Sequence, residues 1–517
     1  MSLFVLRPGH WCVRLAQTGV LLGAAAFAAG CGAGYRPVIT PINPTGPAPQ
    51  PASLVAVVSS TGPTTPGVAT IIDYAGDTIM AQAPIGPGPL SFSADESGAN
   101  GYTVNSDGTL TNFPISVQLQ NRNVQYTTLP TTASIVNLFS PSGGLWAADL
   151  NGNVADVLSG FPATFKLAIP VAPTPVQVVG PISVKERDYV ISQNFADPTG
   201  VACNVSPGAA PAVGEADAVE QVNDTVSAKI GLGKCPVFGL ETIDGQRLFV
   251  LNRGDDTITV INSGDNTLDT CTPFLNQSGQ KVYCHPTLPL SLSAVNAINS
   301  GCEGSTLPPC GGPPNGTAGM PNIAGPVYAE YNAATAQLIV SDYDGNAVSV
   351  IDVSLDQYGN DSPTFGTTFT IPVGTNPASV TALYDGSRAY TANQADGTVS
   401  IVNLTSHTLE KTVPVNGHPR TVVSTQNSLY GKVYVASPDS PYLTIIRTDQ
   451  DIIDANVLVQ GSIIDVRTTT QNAASGNAQV NSRKPGFGQP CYRPLTTLDA
   501  AQIQANPGLC STLPPAI

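Results

Sequence analysis

The chain has 517 residues, of which 50 are Gly and 46 are Pro, and only 11% are charged. Such a composition is unsuited to a helical protein, because helices are built from Glu, Lys and Leu rather than from Gly and Pro. The formal net charge of −15 argues against a nucleic-acid partner, since no basic stripe is present to neutralise phosphates.

The beginning of the chain has the pattern of an export signal. Arg7 and Arg14 precede an apolar run, 20–29, that ends in small residues before Cys31. Such a run is too short for a stable membrane span and predicts a cleaved secretory signal over residues 1–30. The cysteine at the cut resembles a bacterial lipobox, in which this residue receives the lipid and becomes the first of the mature chain. We expect Cys31 to be lipidated; a plain cleaved signal with an incidental Cys is the alternative.

Residues 31–52 are rich in Pro and Gly, as in PVITPINPTGPAPQP from Pro37. Such a segment forms no core and favours extended, polyproline-like conformations, so it predicts a tether behind the lipidated Cys. Gly32, rather than Asp, after this Cys resembles the signal for sorting to the outer membrane. We therefore expect a lipoprotein bound to the outer membrane through Cys31, in the cell envelope, facing the periplasm or the cell surface.

Residues 53–469 repeat one unit at a period of roughly 40 to 50 residues. In each unit a short apolar strand, a Gly/Asx turn and a second alternating strand follow in the same order, as from Leu251 and from Ser341. Apolar residues two positions apart, such as Val399 and Ile401, fall on one face of a strand. A third strand and a Pro-led fourth strand complete the unit, which predicts the four-stranded antiparallel blade of a β-propeller.

The units resemble the YVTN-type β-propeller repeats, whose strands read YV-x-N, TVSVID, TIPVG and P-x-x-VAVSPDG. VSVID at 348–352 and TIPVG at 370–374 match this pattern residue by residue, and the strands that begin at Ala389 and Tyr434 also match. The motifs weaken over residues 53–245. The resemblance implies a single propeller domain.

The number of unit starts predicts an all-β propeller of eight blades, with seven blades as the alternative. These starts are near Leu54, Gly101, Leu145, Asp188, Arg247, Gln337, Arg388 and Lys432. A pair of β-sandwiches is a competing architecture, but sandwiches do not need a recurring unit. Because the chain enters midway through a blade at Leu54, we expect residues 462–469 to supply the missing inner strand. Closure of the ring by both chain ends would remove free sheet edges.

Three segments depart from the repeat, namely the insertions 194–216 and 271–324 and the tail 470–517, which we expect to be pinned by a disulfide. Apart from the Cys in the signal and Cys31, eight Cys remain, which suggests four disulfides in an exported chain. We predict pairing between sequence neighbours, namely Cys203–Cys235, Cys271–Cys284, Cys302–Cys310 and Cys491–Cys510. Zinc is the alternative use of these residues. Only His285 is adjacent to one of them, so we expect no metal and no cofactor.

One face of the propeller is predicted to collect the Asx turns and the Pro-led connections, because antiparallel strands bring both to the same side. The candidates for ligand contact on this face are Arg253, Asp255, Asp256, Asp342, Asp344, Asp396, His418 and Arg420. A simpler interpretation is that the Asp residues form hairpins by bonding to their own backbone.

Residues typical of catalytic sites are sparse. Only three His follow the signal, namely His285, His407 and His418, and neither a G-x-S-x-G elbow nor an HExxH motif is present. We therefore expect a monomeric, lipid-anchored binding or scaffold module that contacts a protein or glycan partner at the envelope through its loop face. An exported enzyme of lactonase or quinoprotein dehydrogenase type is one alternative, because propellers host such activities. A structural or adhesion protein of the surface is the other.

Overall fold

A computed structural model of the protein describes residues 54–130, 133–141, 144–180, 187–194, 213–276, 279–425, 428 and 431–469. These residues form eight antiparallel sheets of at least four strands each and one two-stranded sheet. The prediction of an eight-bladed β-propeller is confirmed, and the seven-bladed alternative is wrong.

The first three blades are built from consecutive strands with short turns between them. Their strands are β1 (Leu54–Ser60), β2 (Pro66–Asp73), β3 (Ile79–Pro87), β4 (Pro89–Ala94), β5 (Asn100–Asn105), β6 (Thr109–Pro114), β7 (Gln125–Thr128), β8 (Ile135–Phe139), β9 (Leu145–Asp149), β10 (Val154–Ser159) and β11 (Thr164–Pro170). Blade 1 contains β1 to β3, blade 2 contains β4 to β7 and blade 3 contains β8 to β11. A 3-10 turn, Asn121–Asn123, precedes β7.

Blades 4 to 6 contain the two predicted insertions. Their elements are β12 (Pro175–Val179), β13 (Arg187–Ser192), β14 (Val213–Glu220), β15 (Thr225–Lys234), β16 (Pro236–Glu241), β17 (Arg247–Asn252), β18 (Thr257–Asn262), β19 (Thr267–Leu268), β20 (Phe274–Leu275), β21 (Lys281–Val282), β22 (Thr287–Pro289), α1 (Leu292–Ser300), β23 (Pro326–Asn332), β24 (Gln337–Asp342), β25 (Ala347–Asp352) and β26 (Thr368–Pro372). In blade 5, β19 and β22 pair with opposite ends of β18, and the hairpin of β20 and β21 lies between them in sequence.

The last two blades end in the strand that closes the ring. Their strands are β27 (Pro377–Ala382), β28 (Arg388–Asn393), β29 (Thr398–Asn403), β30 (Thr408–Pro414), β31 (Thr421–Ser424), β32 (Lys432–Ala436), β33 (Tyr442–Arg447), β34 (Ile452–Leu458) and β35 (Ser462–Thr468). β35 belongs to blade 1, where it pairs antiparallel with β1. The Leu54 amide donates to Thr469 Oγ1 at 2.7 Å, and the Thr469 amide donates to the Leu54 carbonyl at 2.9 Å. The predicted closure by residues 462–469 is therefore confirmed.

The hydrophobic core lies between neighbouring blades. Val399 and Ile401 of β29 share one face, as predicted, and pack in one cluster with Val433 and Val435 of β32 in the next blade. All four side chains are buried. Burial of one such side chain is worth about 1.5–3 kcal/mol. A single blade has no partner for this face, which is why the unit must recur around a closed ring.

Polar side chains bridge the innermost strands. The inner strands of successive blades lie in contact around the ring, in the order β35, β4, β8, β12, β16, β23, β27 and β31. Gln177 of β12 exchanges two hydrogen bonds, at 2.5 and 3.1 Å, with the backbone of Gly239 in β16. The Val422 amide of β31 donates to Ser379 Oγ of β27 at 3.1 Å. These contacts satisfy backbone groups that face no further strand.

The ring has two different faces. The upper face carries the loops between the second and third strands of each blade and the connections to the next blade, such as 394–397 and 415–420 in blade 7. The lower face carries the other loops, such as 383–387. β1 runs from the lower to the upper face and β35 runs in the opposite direction, so Leu54 and Thr469 both lie at the lower face.

Each predicted insertion has described residues at the upper face. β13 ends there and β14 begins there at Val213, inside the predicted insertion 194–216. The predicted insertion 271–324 divides into an outer excursion with β20 and β21 and a connection, 290–325, which contains α1 and joins blade 5 to blade 6 on the upper face. Within the described ranges, no helix is long and apolar enough to cross a membrane.

Candidate binding face

The structure places all eight predicted contact residues at the upper ends of strands or in upper-face loops. Arg253, Asp255 and Asp256 lie between β17 and β18, and Asp344 lies in the equivalent loop of blade 6. The remaining four are Asp342 at the end of β24, Asp396 between β28 and β29, and His418 and Arg420 before β31. Ligand contact by these residues stays a prediction.

Several upper-face carboxylates hold the chain connections in place. Asp255 Oδ2 accepts from the Lys234 amide at 3.0 Å, and Asp396 Oδ2 accepts from the Thr375 amide at 2.5 Å. Both contacts join a loop between second and third strands to the connection that enters the same blade. Burial raises the pKa of Asp255, against hydrogen bonds that lower it. Both carboxylates thus bond to a backbone amide 21 residues away, rather than to the backbone of their own hairpin.

Arg253 and Asp344 form a shielded ion pair between blades 5 and 6. Arg253 Nη2 lies 2.9 Å from both carboxylate oxygens, and the two side chains are only 9% and 7% exposed. The guanidinium also lies over the ring of Tyr343, 5.8 Å from its centroid. Burial raises the pKa of Asp344, although Arg253 opposes this shift. The pair couples two neighbouring loops.

Asp256 and Asp342 extend this cluster inward. Asp256 Oδ1 accepts from the Gly325 amide at 2.8 Å, which ties the loop to the end of connection 290–325. Asp342 is fully buried and accepts from Ser349 Oγ at 2.6 Å. Burial raises the pKa of Asp342 well above its ordinary value, with a further contribution from Asp256. Asp342 is therefore a structural acid beneath the face.

His418 and Arg420 lie on another part of the upper face, between blades 7 and 8. His418 Nδ1 is 2.6 Å from Asp439 Oδ2, and its backbone amide donates to Asp439 Oδ1 at 2.8 Å. The His418 side chain is 47% exposed. Arg420 is buried and donates to the carbonyl of Ile464. His418 thus meets solvent while Arg420 serves the blade interface.

Two predicted disulfides are present. Cys271–Cys284 closes the excursion that contains β20 and β21, and Cys302–Cys310 lies in connection 290–325 after α1. Cys235 is also disulfide-bonded. The predicted partners Cys203, Cys491 and Cys510, as well as the predicted lipid site Cys31, lie outside the described residues. In the part of the chain that the structure describes, no group of three or more His, Cys, Asp or Glu is placed to hold a metal ion.

Sequence reasoning missed a recurring contact at the lower face. The first residue of the second strand is basic in blades 4, 5, 7 and 8, and in each case it reaches a carbonyl of the next blade around the ring. The donors and acceptors are Arg187 to Ser263 at 2.9 Å, Arg247 to Gly359 at 3.1 Å, Arg388 to Thr448 at 2.8 Å and Lys432 to Tyr74 at 2.8 Å. In each of these four strands the basic residue stands two positions before an aromatic residue, and this spacing is visible in the sequence.

A buried ionic group was also missed. Arg247 Nη2 is 3.4 Å from Asp269 and 3.2 Å from Asp361, and His285 Nδ1 is 2.7 Å from Asp361. Burial and the Asp361 charge raise the pKa of Asp269 to about 6. His285, which follows Cys284, thus links the excursion that contains β20 and β21 to blade 6.

No protein-family model matches the chain, and no curated protein matches it. Many solved structures match the chain, and the following two are among them. Apo AztD from Citrobacter koseri superimposes with a TM-score of 0.51 at 13% identity, over 80% of this chain and 97% of AztD. Dihydro-heme d1 dehydrogenase NirN, in complex with DHE, gives 0.53 at 12% identity, over 86% of this chain and 79% of NirN. At such identities the similarity shows the β-propeller fold alone.

Proposed function

We propose that the protein is an exported lipoprotein of the outer membrane, with YVTN-type repeats, held by lipid on Cys31. Its monomeric propeller acts as a binding or scaffold module at the cell envelope. The partner is a protein or a glycan that contacts the upper face.

The observation that carries this proposal is the position of the two ends of the propeller. Leu54 and Thr469 are bonded to each other at the lower face. The proposed tether, 32–52, therefore leads to the lower face, and in an extended polyproline-like form it spans about 65 Å. The tether therefore joins the propeller on the face opposite the candidate contact residues.

The disulfides support export. Cys271–Cys284 and Cys302–Cys310 suit an oxidising compartment, where such bonds form and persist. The second of them constrains connection 290–325 on the upper face. A partner that binds there meets a pre-ordered surface, which reduces the entropy lost on association.

Anchoring and partner binding are tested separately in intact cells. A palmitate analogue should label the wild-type protein but not Cys31→Ser, and this variant should leave the membrane fraction. A photo-crosslinking residue at Ala395, exposed on the upper face, should capture a partner, while one at Ser406, exposed on the lower face, should not. Equal capture from both positions, or from neither, would contradict binding through the upper face.

An exported enzyme of lactonase or dehydrogenase type is the second candidate. The observation that favours it is the pairing of His418 with Asp439, since a carboxylate bonded to one ring nitrogen orients the other as a base. Lactone turnover by the purified protein that disappears in His418→Asn would establish this candidate over a binding module.

A further inference from the structure

Three adjacent loops of blades 7 and 8 form a small polar surface around His418. The Val415 amide donates to the Gly397 carbonyl at 2.9 Å, which joins loops 394–397 and 415–420. Asp439, in the loop between β32 and β33, bonds to His418. Tyr442 shares one face of β33 with Thr444, which accepts from Asn416 of loop 415–420 at 3.3 Å. We name the side chains of Asp396, His418, Asp439 and Tyr442 on these loops the His418 patch. Tyr442 begins β33, three residues after Asp439, and its amide donates to Ser440 Oγ at 3.1 Å.

The hydrogen bonds of His418 determine what its ring offers to a ligand. A neutral imidazole that donates from Nδ1 to a carboxylate carries its lone pair on Nε2. No described residue is hydrogen-bonded to Nε2, and the side chain is 47% exposed. The patch therefore presents an oriented acceptor to solvent.

The other exposed side chains of the patch add acceptors and a flat apolar surface. Asp396 is exposed, Asp439 is 24% exposed and Tyr442 is 41% exposed. The three loops contain one Lys or Arg, namely Arg420, and this residue is buried. A ligand with negative charge would therefore meet carboxylates without an exposed cation.

We propose that the His418 patch binds a neutral carbohydrate. Sugar hydroxyls donate to His418 Nε2 and to the outward lone pairs of Asp396, and the apolar face of a sugar ring lies on Tyr442. This inference deepens the proposed function, on which it rests, by naming the chemical class of the partner.

The engaged carboxylates favour a sugar over a cationic protein segment. Both oxygens of Asp439 already accept from His418, and Asp396 Oδ2 accepts from the Thr375 amide. Their charge is thus partly compensated within the protein, whereas Nε2 and the Tyr442 ring remain as the accessible recognition groups.

The test uses the purified full-length lipoprotein in detergent with immobilised neutral oligosaccharides of glucose and of N-acetylglucosamine. Tyr442→Ala should weaken binding about tenfold through loss of the ring contact. Tyr384→Ala is the matched control, because Tyr384 is 50% exposed on the lower face of blade 7 and should have no effect.

A pair of His418 variants separates binding from loop structure. His418→Asn keeps a donor near Asp439 but removes the acceptor at Nε2, so binding should weaken roughly fivefold while the thermal midpoint stays unchanged. His418→Gln places an amide oxygen near the Nε2 position and should retain more affinity than His418→Asn.

Three outcomes would overturn the inference. One is binding of a polylysine peptide, with steep dependence on salt, together with no sugar binding, which would identify a cationic protein partner. Another is sugar binding that Tyr442→Ala and Tyr384→Ala affect equally. The third is no sugar binding while Ala395 still crosslinks to a partner, which leaves the proposed function intact. Loss of that crosslink as well would overturn the proposed function itself.

Discussion

Gly374, after β26 of blade 6, lies directly against Asn393 at the end of β28 in blade 7. A Cβ at Gly374 would be 2.6 Å from Asn393 Nδ2, which is too close for any side chain. The Asn393 amide in turn donates to Ser400 Oγ at 2.8 Å and to Thr398 Oγ1 at 3.0 Å. The glycine of the TIPVG strand and the asparagine of the next second strand are thus the two sides of one contact.

The same contact recurs around the ring. A Cβ at Gly86 would be 2.1 Å from Asn105, and one at Gly233 would be 2.6 Å from Asn252. Between blades 7 and 8 the asparagine is on the other side of the contact. Asn416 occupies the position equivalent to Gly374, and Ser437 occupies the position equivalent to Asn393. Asn416 Nδ2 reaches Thr444 Oγ1 at 3.3 Å, so the amide is supplied from the opposite side.

Because the asparagine can stand on either side of this contact, we predict that substitutions at positions 374 and 393 have non-additive effects on the free energy of unfolding. Gly374→Asn alone should destabilise the propeller by about 1–3 kcal/mol, because the new side chain meets Asn393. Asn393→Ser alone should cost about 1–2 kcal/mol through lost hydrogen bonds. The double variant, which reproduces the pair in blade 8, should cost less than the sum by at least about 1 kcal/mol. Urea unfolding of all four proteins measures this difference, and strictly additive losses would contradict it.

The local pattern was sufficient to predict the blades but not the contacts between them. Every predicted unit start lies within one residue of the first residue of the second strand of a blade. These starts were predictable because alternation and Asx turns are local features of the chain. Cys271–Cys284 was predictable for the same reason. The pair of Arg253 and Asp344 joins loops 91 residues apart, so only the ring geometry reveals it. α1 was also missed, because its segment is short and lies among Pro and Gly.

The sequence indicates on which face the candidate residues lie, but not how deeply each side chain is buried or what it contacts. Asx turns and Pro-led connections are recognisable in sequence, and antiparallel pairing places them on one side. Burial is set by neighbouring blades, which is why Asp342 and Arg420 were grouped with exposed residues although both are buried. Asp439 was overlooked because its loop, SPDSP, departs from the repeat.

Asp342 occupies the place of the repeat asparagine, and its replacement by Asn should stabilise the protein. The carboxyl pKa is raised by burial, so the folded state retains a proton that the unfolded state loses above the ordinary Asp value of 3.8. Stability from this group therefore falls as the pH rises from that value. Asp342→Asn should raise the free energy of unfolding by about 1–3 kcal/mol at pH 8 and by less at pH 5.

The reverse substitution in the next blade is the matched control for Asp342. Asn393→Asp buries a new carboxyl in the equivalent site and should destabilise the protein by about 1–3 kcal/mol at pH 8. Urea midpoints at pH 5 and pH 8 measure both variants. A loss of stability in Asp342→Asn at pH 8 would show that the ionised carboxylate is required there.

The buried Glu330 of the inner strand β23 leads us to predict a second dependence of stability on pH. Its Oε1 accepts from the Ala382 amide at 3.0 Å, and burial raises its pKa from 4.5 to about 8. The folded protein thus holds this proton across that window, and the contribution to stability declines as the pH rises through it. Glu330→Gln keeps the carbonyl acceptor and should gain about 1–3 kcal/mol at pH 9, with no gain at pH 4.

The exposed Glu410 of blade 7 provides the comparison for Glu330, since Glu410→Gln removes a carboxylate from solvent rather than from the core. Thermal midpoints between pH 4 and pH 9 should coincide with those of the wild type for Glu410→Gln and diverge for Glu330→Gln as the pH increases. If the thermal midpoints of both variants changed with pH in the same way, the change in stability would be due to net charge rather than to burial of Glu330.

Lys432 should be critical for ring closure, because its side chain joins the last blade to the first. It is paired with Asp77, donates to the Tyr74 carbonyl at 2.8 Å and is only 3% exposed. Lys432→Met leaves the Asp77 carboxylate, itself 10% exposed, without its cation and should cost about 3–5 kcal/mol. The pair of Lys166 and Asp224 is the control, because Lys166 is 50% exposed and Lys166→Met should cost less than about 1 kcal/mol. Hydrogen exchange should rise first in β1, β2 and β35 of the Lys432→Met protein, where the two chain ends meet. Uniform loss of protection over all blades would instead indicate that the closure is no weaker than the other blade interfaces.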